Sequence, residues 1–176
     1  MNRFQQFSKI KAAFDKIDQE FLKNGSLPMR DTEDGFWGSS NMNLVYDFFV
    51  KVGLEKYRNF LDLGSGDGRI VLIASLFTKA TGVESDKELL LKGAQARDNL
   101  GLNAEFIHRN YLDIDWSKYD FIFIFPDKRF KPALEKKLKE ELKGKLFVYN
   151  NVYVPYFLKK GKTWWIDQMP LVEFTK

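Results

Sequence analysis

Phe60-Leu61-Asp62-Leu63-Gly64-Ser65-Gly66-Asp67-Gly68-Arg69-Ile70 is the stretch that decides the fold. Phe60 to Leu63 reads as a buried strand, and Arg69 to Phe77 as a helix that turns Ile70, Val71, Ile73, Ala74 and Phe77 toward a core. Three glycines stand between them at 64, 66 and 68, where the backbone must turn tightly and leave a ligand room to approach. A strand, a glycine turn and a helix in this order select a nucleotide-like ligand. The dinucleotide fingerprint G-x-G-x-x-G would need glycine at position 69, where Arg69 stands, and no G-K-S/T follows to cradle a phosphate. Asp62 enters the turn and Asp67 lies inside it, and two carboxylates repel a pyrophosphate but attract a cation. The residues therefore point to a ligand that is positively charged and carries an adenosine.

Downstream the pattern repeats. Thr81-Gly82-Val83-Glu84 ends a second strand, and Glu84, 22 residues after Asp62, stands where a carboxylate can accept both ribose hydroxyls and would repel a 2′-phosphate. Asp86 to Leu100 predicts a helix closed by Gly101, and Ala104 to Ile107 a third strand. Tyr119 to Phe125 is the most apolar strand, stopped by Pro126; Lys131 to Leu142 is a helix with Pro132 near its start, and Lys145 to Tyr149 another strand. The order β-α-β-α-β-β-α-β predicts an α/β fold with a doubly wound, mostly parallel Rossmann-like sheet. Thr163 to Asp167 and Leu171 to Thr175, joined by a turn at Gln168 to Pro170, add a C-terminal antiparallel pair and bring the sheet to about seven strands.

Upstream, Phe4, Phe7, Ile10, Phe14, Ile17 and Phe21 recur at intervals of three and four, an amphipathic helix that stops at Asn24-Gly25. Gly25 to Ser40 is irregular, with Asp31, Glu33 and Asp34 around Phe36-Trp37, and reads as a lid or a connector. A second helix covers about Asn41 to Val52. The organisation expected is an N-terminal helix and lid-like loop over 1–40, followed by one ligand-binding domain over 41–176.

Composition narrows the chemistry. The 176 residues contain no Cys and one His, which excludes thiolate zinc sites and cysteine nucleophiles and leaves multi-histidine metal sites and a Ser-His-Asp triad hard to build, so no metal is expected. His108 reads as structural. No apolar run spans a bilayer and Met1 to Glu20 has no signal-peptide pattern, so a cytoplasmic protein with no membrane partner is expected, and a monomer is consistent with the sequence. The charge of +4 is uneven: Lys128 to Lys176 holds 12 basic and 5 acidic residues, and the preceding part is net acidic. A basic face of this kind is either solvated or meets an anionic partner.

The run from Phe60 to Ile70 resembles motif I of the class I S-adenosylmethionine-dependent methyltransferases, and Gly82-Val83-Glu84 resembles their second motif. The match in motif order covers about Asn41 to Lys176, and the form D-L-G-S-G-D-G-R-I-V is similar to a subgroup of archaeal and mitochondrial protein-lysine methyltransferases; Phe123-Ile124-Phe125 followed by Leu134-Glu135-Lys136-Lys137-Leu138 and Glu141-Leu142 also resembles that subgroup. The resemblance implies S-adenosyl-L-methionine as cofactor, held by Asp62, Gly64, Ser65, Gly66, Asp67 and Gly68, by Glu84 with Ser85, by Asn110 with Tyr111 at the adenine, and by Trp37.

Open α/β sheets place chemistry at the carboxyl ends of the strands, which here puts Phe125-Pro126-Asp127 at the catalytic position. The N-P-P-Y or D-P-P-Y run of exocyclic amino methylation is missing there. An apolar channel of Phe125, Pro126 and Trp37 would favour a neutral amine by desolvation, while Asp127 could attract the incoming cation. The expected function is methyl transfer to a protein lysine amine. The alternatives are an RNA methyltransferase using the basic C-terminal surface, with Lys128, Arg129 and Lys131 beside the site, and a non-catalytic cofactor-binding module.

Overall fold

Phe121-Ile122-Phe123-Ile124 has no polar residue on either side of its pleat, so it is stable only as a strand covered on both faces. In the computed structural model, which describes residues 2–33, 35–150 and 152–176, all four side chains are buried. The elements in chain order are α1 (Arg3–Lys23), β1 (Met29–Asp31), β2 (Phe36–Gly38), α2 (Met42–Val52), β3 (Asn59–Leu63), α3 (Arg69–Ala74), β4 (Lys79–Glu84), α4 (Lys87–Leu100), β5 (Ala104–His108), β6 (Phe121–Ile124), α5 (Pro132–Glu141), β7 (Lys145–Tyr149), β8 (Lys159–Ile166) and β9 (Met169–Thr175). Among the described residues, no helix is long and apolar enough to cross a membrane.

Seven strands form one sheet in the order β5-β4-β3-β6-β7-β9-β8. The first five are parallel; β9 runs antiparallel to β7, and β8 is antiparallel to β9 on the outside. The chain winds outward from β3 through β4 to β5, then crosses back to β6 on the other side of β3. That reversal opens a crevice beyond the carboxyl ends of β3 and β6, where doubly wound sheets bind their ligands.

The two faces of the sheet are packed differently. On one, Phe60, Phe121, Phe123 and Phe147 meet α1, α2 and α3, with Ala96 of α4 at the margin. The Phe121 and Phe147 rings stack at 3.8 Å, and Phe49 of α2 stands edge-on to Phe60, Phe121 and Phe123. The other face carries Leu61, Leu63, Ile122, Ile124, Leu146 and Val148 under α5 and Trp116. Asn2 opens α1 with a capping box closed by Gln5, and the aromatic stripe behind it buries Phe7, Ile10 and Phe14 against the first face.

Three details depart from the sequence reading. Residues 25–40 include an antiparallel hairpin, β1 with β2; Asp34 lies outside the described residues. The third helix ends at Ala74, and Phe77 joins the core from a turn. The outer strand β8 begins at Lys159, four residues before Thr163, because β9 supplies its backbone partners; Lys159, Lys160 and Lys162 are exposed and show no apolar alternation.

One ion-pair network ties α1 to the turn after β3. The Arg69 guanidinium donates to both carboxylate oxygens of Asp67, at 2.6–3.1 Å, and to both of Asp18, at 2.7 and 3.0 Å. Burial opposes the charge on Arg69, but the bonds to Asp18 and the charge of Asp67 outweigh it and raise its pKa. Replacing Arg69 by Leu would leave the Asp67 carboxylate, which is 1% exposed, without its cation, and the expected loss is about 3–5 kcal/mol in urea unfolding.

Candidate active site

The turn after β3 is fastened to its neighbour before any ligand is considered. Gly64 and Ser65 both donate their backbone N–H to the carbonyl of Val83 at 3.0 Å, and Gly68 closes the turn onto Ser65 at 2.9 Å. Gly64 has φ +76° and a Cβ added there would meet nothing within 4 Å, so its bare face opens on the crevice. Gly66 has φ +55°, and a Cβ at that position would run into the ring of Trp37. One glycine leaves space for a ligand; the other lets the hairpin lie on the turn.

Carboxylates dominate the electrostatics. Glu84 accepts from Gly66 N–H through Oε2 and from Asp86 N–H through Oε1, both at 2.8 Å, and so joins the glycine turn to the start of α4. Each of these oxygens retains a second lone pair for a hydroxyl donor. Asp62 is 2% exposed, and its Oδ2 has no hydrogen-bond partner; neither has the buried Ser65 Oγ. Burial first, then the charges of Glu84 and Asp67, hold the Asp62 carboxyl well above the usual carboxylate range. A cation entering beside Asp62 removes that penalty, whereas a phosphate would add to it. Among the described residues, no group of three or more His, Cys, Asp or Glu side chains is placed to hold a metal ion.

The hairpin spans the crevice from one bank to the other. On the α4 side, Arg30 pairs with Asp86 at 2.7 Å and with Glu88 at 2.6 Å. On the β6 side, Phe36 N–H donates to Asp127 Oδ2 at 2.8 Å. Trp37 between them is buried and packs near Phe21 of α1, with ring centroids 5.9 Å apart. Under this strap the crevice forms two adjoining cavities that share Trp37, Gly64 and Phe125-Pro126-Asp127. One, of about 290 Å³, lies against Asp62, Ser65, Gly66 and Asp67; the other, of about 110 Å³, lies against Glu84, Ser85 and Tyr111.

The structure thus brings together twelve of the fourteen site residues expected from the sequence: Trp37, Asp62, Gly64, Ser65, Gly66, Asp67, Glu84, Ser85, Tyr111, Phe125, Pro126 and Asp127 line the two cavities. Gly68 and Asn110 do not. Gly68 lies against the Phe106 ring and Gly93, where α3 and α4 approach closely. Asn110 uses its Oδ1 to cap a short turn through Leu112 N–H at 2.9 Å, which leaves its amide NH₂ as the group that could meet a base. His108 bonds Ser85 O at 2.9 Å through Nε2, a structural contact between strand ends. The sequence reading missed Phe36, Ser39, Ser40 and Leu89 on the cavity walls and the Arg30 strap. The Asp34-Gly35 pair between Met29-Arg30-Asp31 and Phe36-Trp37-Gly38 is a hairpin signal that could have found them.

A parallel sheet with this reversal, a glycine turn open at Gly64 and an acid at the end of the next strand define a class I methyltransferase fold, whose cofactor is S-adenosylmethionine. The family model described as the ANTKMT methyltransferase domain matches residues 62–154, more than half of the chain, and the chain belongs to that family. It is 35% identical over 104 residues to the ATP synthase lysine N-methyltransferase of Caenorhabditis elegans, a match covering 57% of this chain and 55% of that protein. The chain therefore spans about half the length of this curated relative. Among solved structures, an RNA methyltransferase from Salinibacter ruber in complex with S-adenosyl-L-homocysteine superposes with a TM-score of 0.64 at 20% identity, over 77% of this chain and 91% of that one. The Pyrococcus abyssi tRNA (uracil-54, C5)-methyltransferase, also in complex with S-adenosyl-L-homocysteine, gives 0.64 at 15% identity, over 80% and 45%. Both show the same fold.

The raised Asp62 pKa has a stability consequence. The native state keeps a proton on Asp62 that the unfolded chain has already released, so stability falls as pH rises from the usual carboxylate range through the raised value. Asp62→Asn should flatten that decline in thermal melts at successive pH values. The same variant should weaken S-adenosylmethionine binding in titration calorimetry by about tenfold, on the order of one lost charge-assisted hydrogen bond.

Proposed function

We propose that the protein transfers a methyl group from S-adenosylmethionine to the amine of a lysine in another protein. The observation that carries this reading is the apolar mouth at the tip of β6: Phe125 and Pro126 adjoin the acid-lined glycine crevice and face the hairpin residues Phe36 and Trp37. The lysine specificity named for the Caenorhabditis elegans relative supports the same acceptor. When bound, S-adenosylmethionine supplies a methyl group on a positively charged sulfonium.

In this reading Asp62, Ser65 and Asp67 with the open face of Gly64 receive the cationic methionine end, and Glu84 with Ser85 takes the ribose. Asn110 and Tyr111 attend the adenine, Gly68 sets the close packing behind the turn, and Trp37 covers Gly66. The hairpin of residues 25–40 acts as a lid latched by Arg30 on one bank and Asp127 on the other. The acceptor nitrogen must lose its proton before it can attack, and Phe125, Pro126 and Trp37 favour the neutral amine by excluding water. Asp127 is exposed at the entrance and draws in the lysine while it is still charged. The N–C bond forms as the S–C bond breaks, so the residues chiefly align the two partners, and the nitrogen's proton leaves to solvent.

RNA is the second reading, because Lys128, Arg129 and Lys131 line the same crevice. Transfer from labelled S-adenosylmethionine into a cell extract, followed by separate digestion with protease and RNase, distinguishes the two. Label released by protease and resistant to RNase is expected; label removed by RNase, with activity falling steeply in salt, would overturn the lysine reading. The rate with a protein acceptor should climb with pH as the lysine amine, with an ordinary pKa of about 10.4, deprotonates. Asp127→Asn should raise the half-saturating acceptor concentration and leave cofactor affinity within about twofold.

A further inference from the structure

Five large apolar side chains beyond β6 and β7 stand in solvent: Phe125, Val152, Val154, Tyr156 and Phe157. Tyr156 is 73% and Phe157 74% exposed, values that an ordinary surface residue reaches singly but that adjacent aromatics on one loop do not need for folding. The loop is held in place from below. Glu135 of α5, which is 6% exposed, accepts the Tyr156 N–H through Oε1 at 2.9 Å, and Asn150 places its amide 3.5 Å from the carbonyl of Pro126 at the tip of β6.

Between this loop and α5 lies a groove of about 360 Å³ with Phe130, Tyr156 and Phe157 on its walls. Phe130 also lines the cavity beneath Tyr111 and Phe125, so groove and crevice share a wall. Glu135 lines the groove as well, and its Oε2 is buried without a hydrogen-bond partner. A buried acceptor of this kind is costly unless something supplies a donor. Lys136 and Lys139 stand on the rim, with Lys139 Nζ 6.0 Å from the Phe157 ring.

We propose that this groove is a docking site for the acceptor protein, taking an apolar side chain between Phe130, Tyr156 and Phe157, a polypeptide N–H on Glu135 Oε2, and an acidic residue on Lys136 and Lys139. It rests on the protein-lysine reading and extends it: the segment bound here lies outside the methylated lysine's own channel and decides which lysines are presented to it. A concave wall with a buried hydrogen-bond acceptor fits a peptide, which carries N–H donors, better than a lipid surface, which would leave Glu135 unpaired.

The test uses the full chain, Phe157→Asp and Lys136→Glu/Lys139→Glu. A fluorescent peptide of sequence acetyl-Glu-Leu-Phe-Glu-Gly-Lys-amide and vesicles of anionic phosphatidylglycerol serve as binding probes, alongside label transfer into cell-extract protein. Each variant should weaken peptide binding at least about tenfold and raise the extract concentration that gives half-maximal transfer, while S-adenosylmethionine affinity stays within about twofold. Phe157 and both lysines are exposed, so the fold should survive, and unchanged cofactor titration verifies it. Peptide binding unaffected by either variant would overturn the groove, as would vesicle binding that Phe157→Asp abolishes in the absence of any peptide effect. RNase-sensitive label made by the unsubstituted protein would overturn the lysine reading instead, a result separate from any difference between variants.

Discussion

Arg69 is a single guanidinium asked to neutralise two carboxylates on two different parts of the chain. Asp67 belongs to the turn that lines the crevice and Asp18 to the helix that opens the sequence, and both are bonded bidentately to the same side chain. A planar fork of five donors can do this, and a lysine ammonium could not. The outcome is that α1, whose Asp18 stands 51 residues before Arg69, is anchored directly to the glycine turn. The hairpin that follows α1 inherits that placement, since Phe21 and Trp37 pack together just beyond it. Without the Arg69 network Asp67 would join Asp62 and Glu84 as a third uncompensated buried acid, and the turn would have little reason to hold its shape.

Much of this arrangement was legible in the chain itself. The sheet order follows from apolar runs of strand length alternating with helical periodicity, and the handedness of parallel crossovers leaves few ways to wind them. The glycine turn was legible because Gly64, Gly66 and Gly68 stand between a strand and a helix, and Glu84 because its distance from Asp62 equals one strand-helix-strand unit. The hairpin was harder to see. Its strands are three residues each, too short to show alternation, and their stability comes from Arg30, Trp37 and the Phe36 N–H; the partners of Arg30 and Phe36 lie 56 and 91 residues away. Lys159, Lys160 and Lys162 of β8 gave no apolar signal either, because an edge strand there is stabilised by its neighbour's backbone.

The same long-range contacts explain why Asp127 has two duties. Sequence position alone puts it at the tip of β6, where an acceptor would arrive; the structure adds that one of its oxygens receives the Phe36 N–H. The lid and the entrance are therefore mechanically joined at one carboxylate. Likewise Asn110 reads from sequence as a base-recognising side chain, while its carbonyl oxygen is occupied in capping the turn that follows β5. Local capping competes with recognition wherever a short polar side chain sits at the start of a turn.

The outer strand β8 leaves a row of backbone donors and acceptors facing solvent, as any open sheet must. Lys159, Lys160 and Lys162 lie along this edge, and the pairing with β9 shifts register between Lys160 and Thr163, which bends the strand away from flatness. A second copy adding its own β8 here would bring like charges together along a kinked edge. The sheet is thus protected at its open side against growing from one molecule into the next, by charge and curvature rather than by a covering helix.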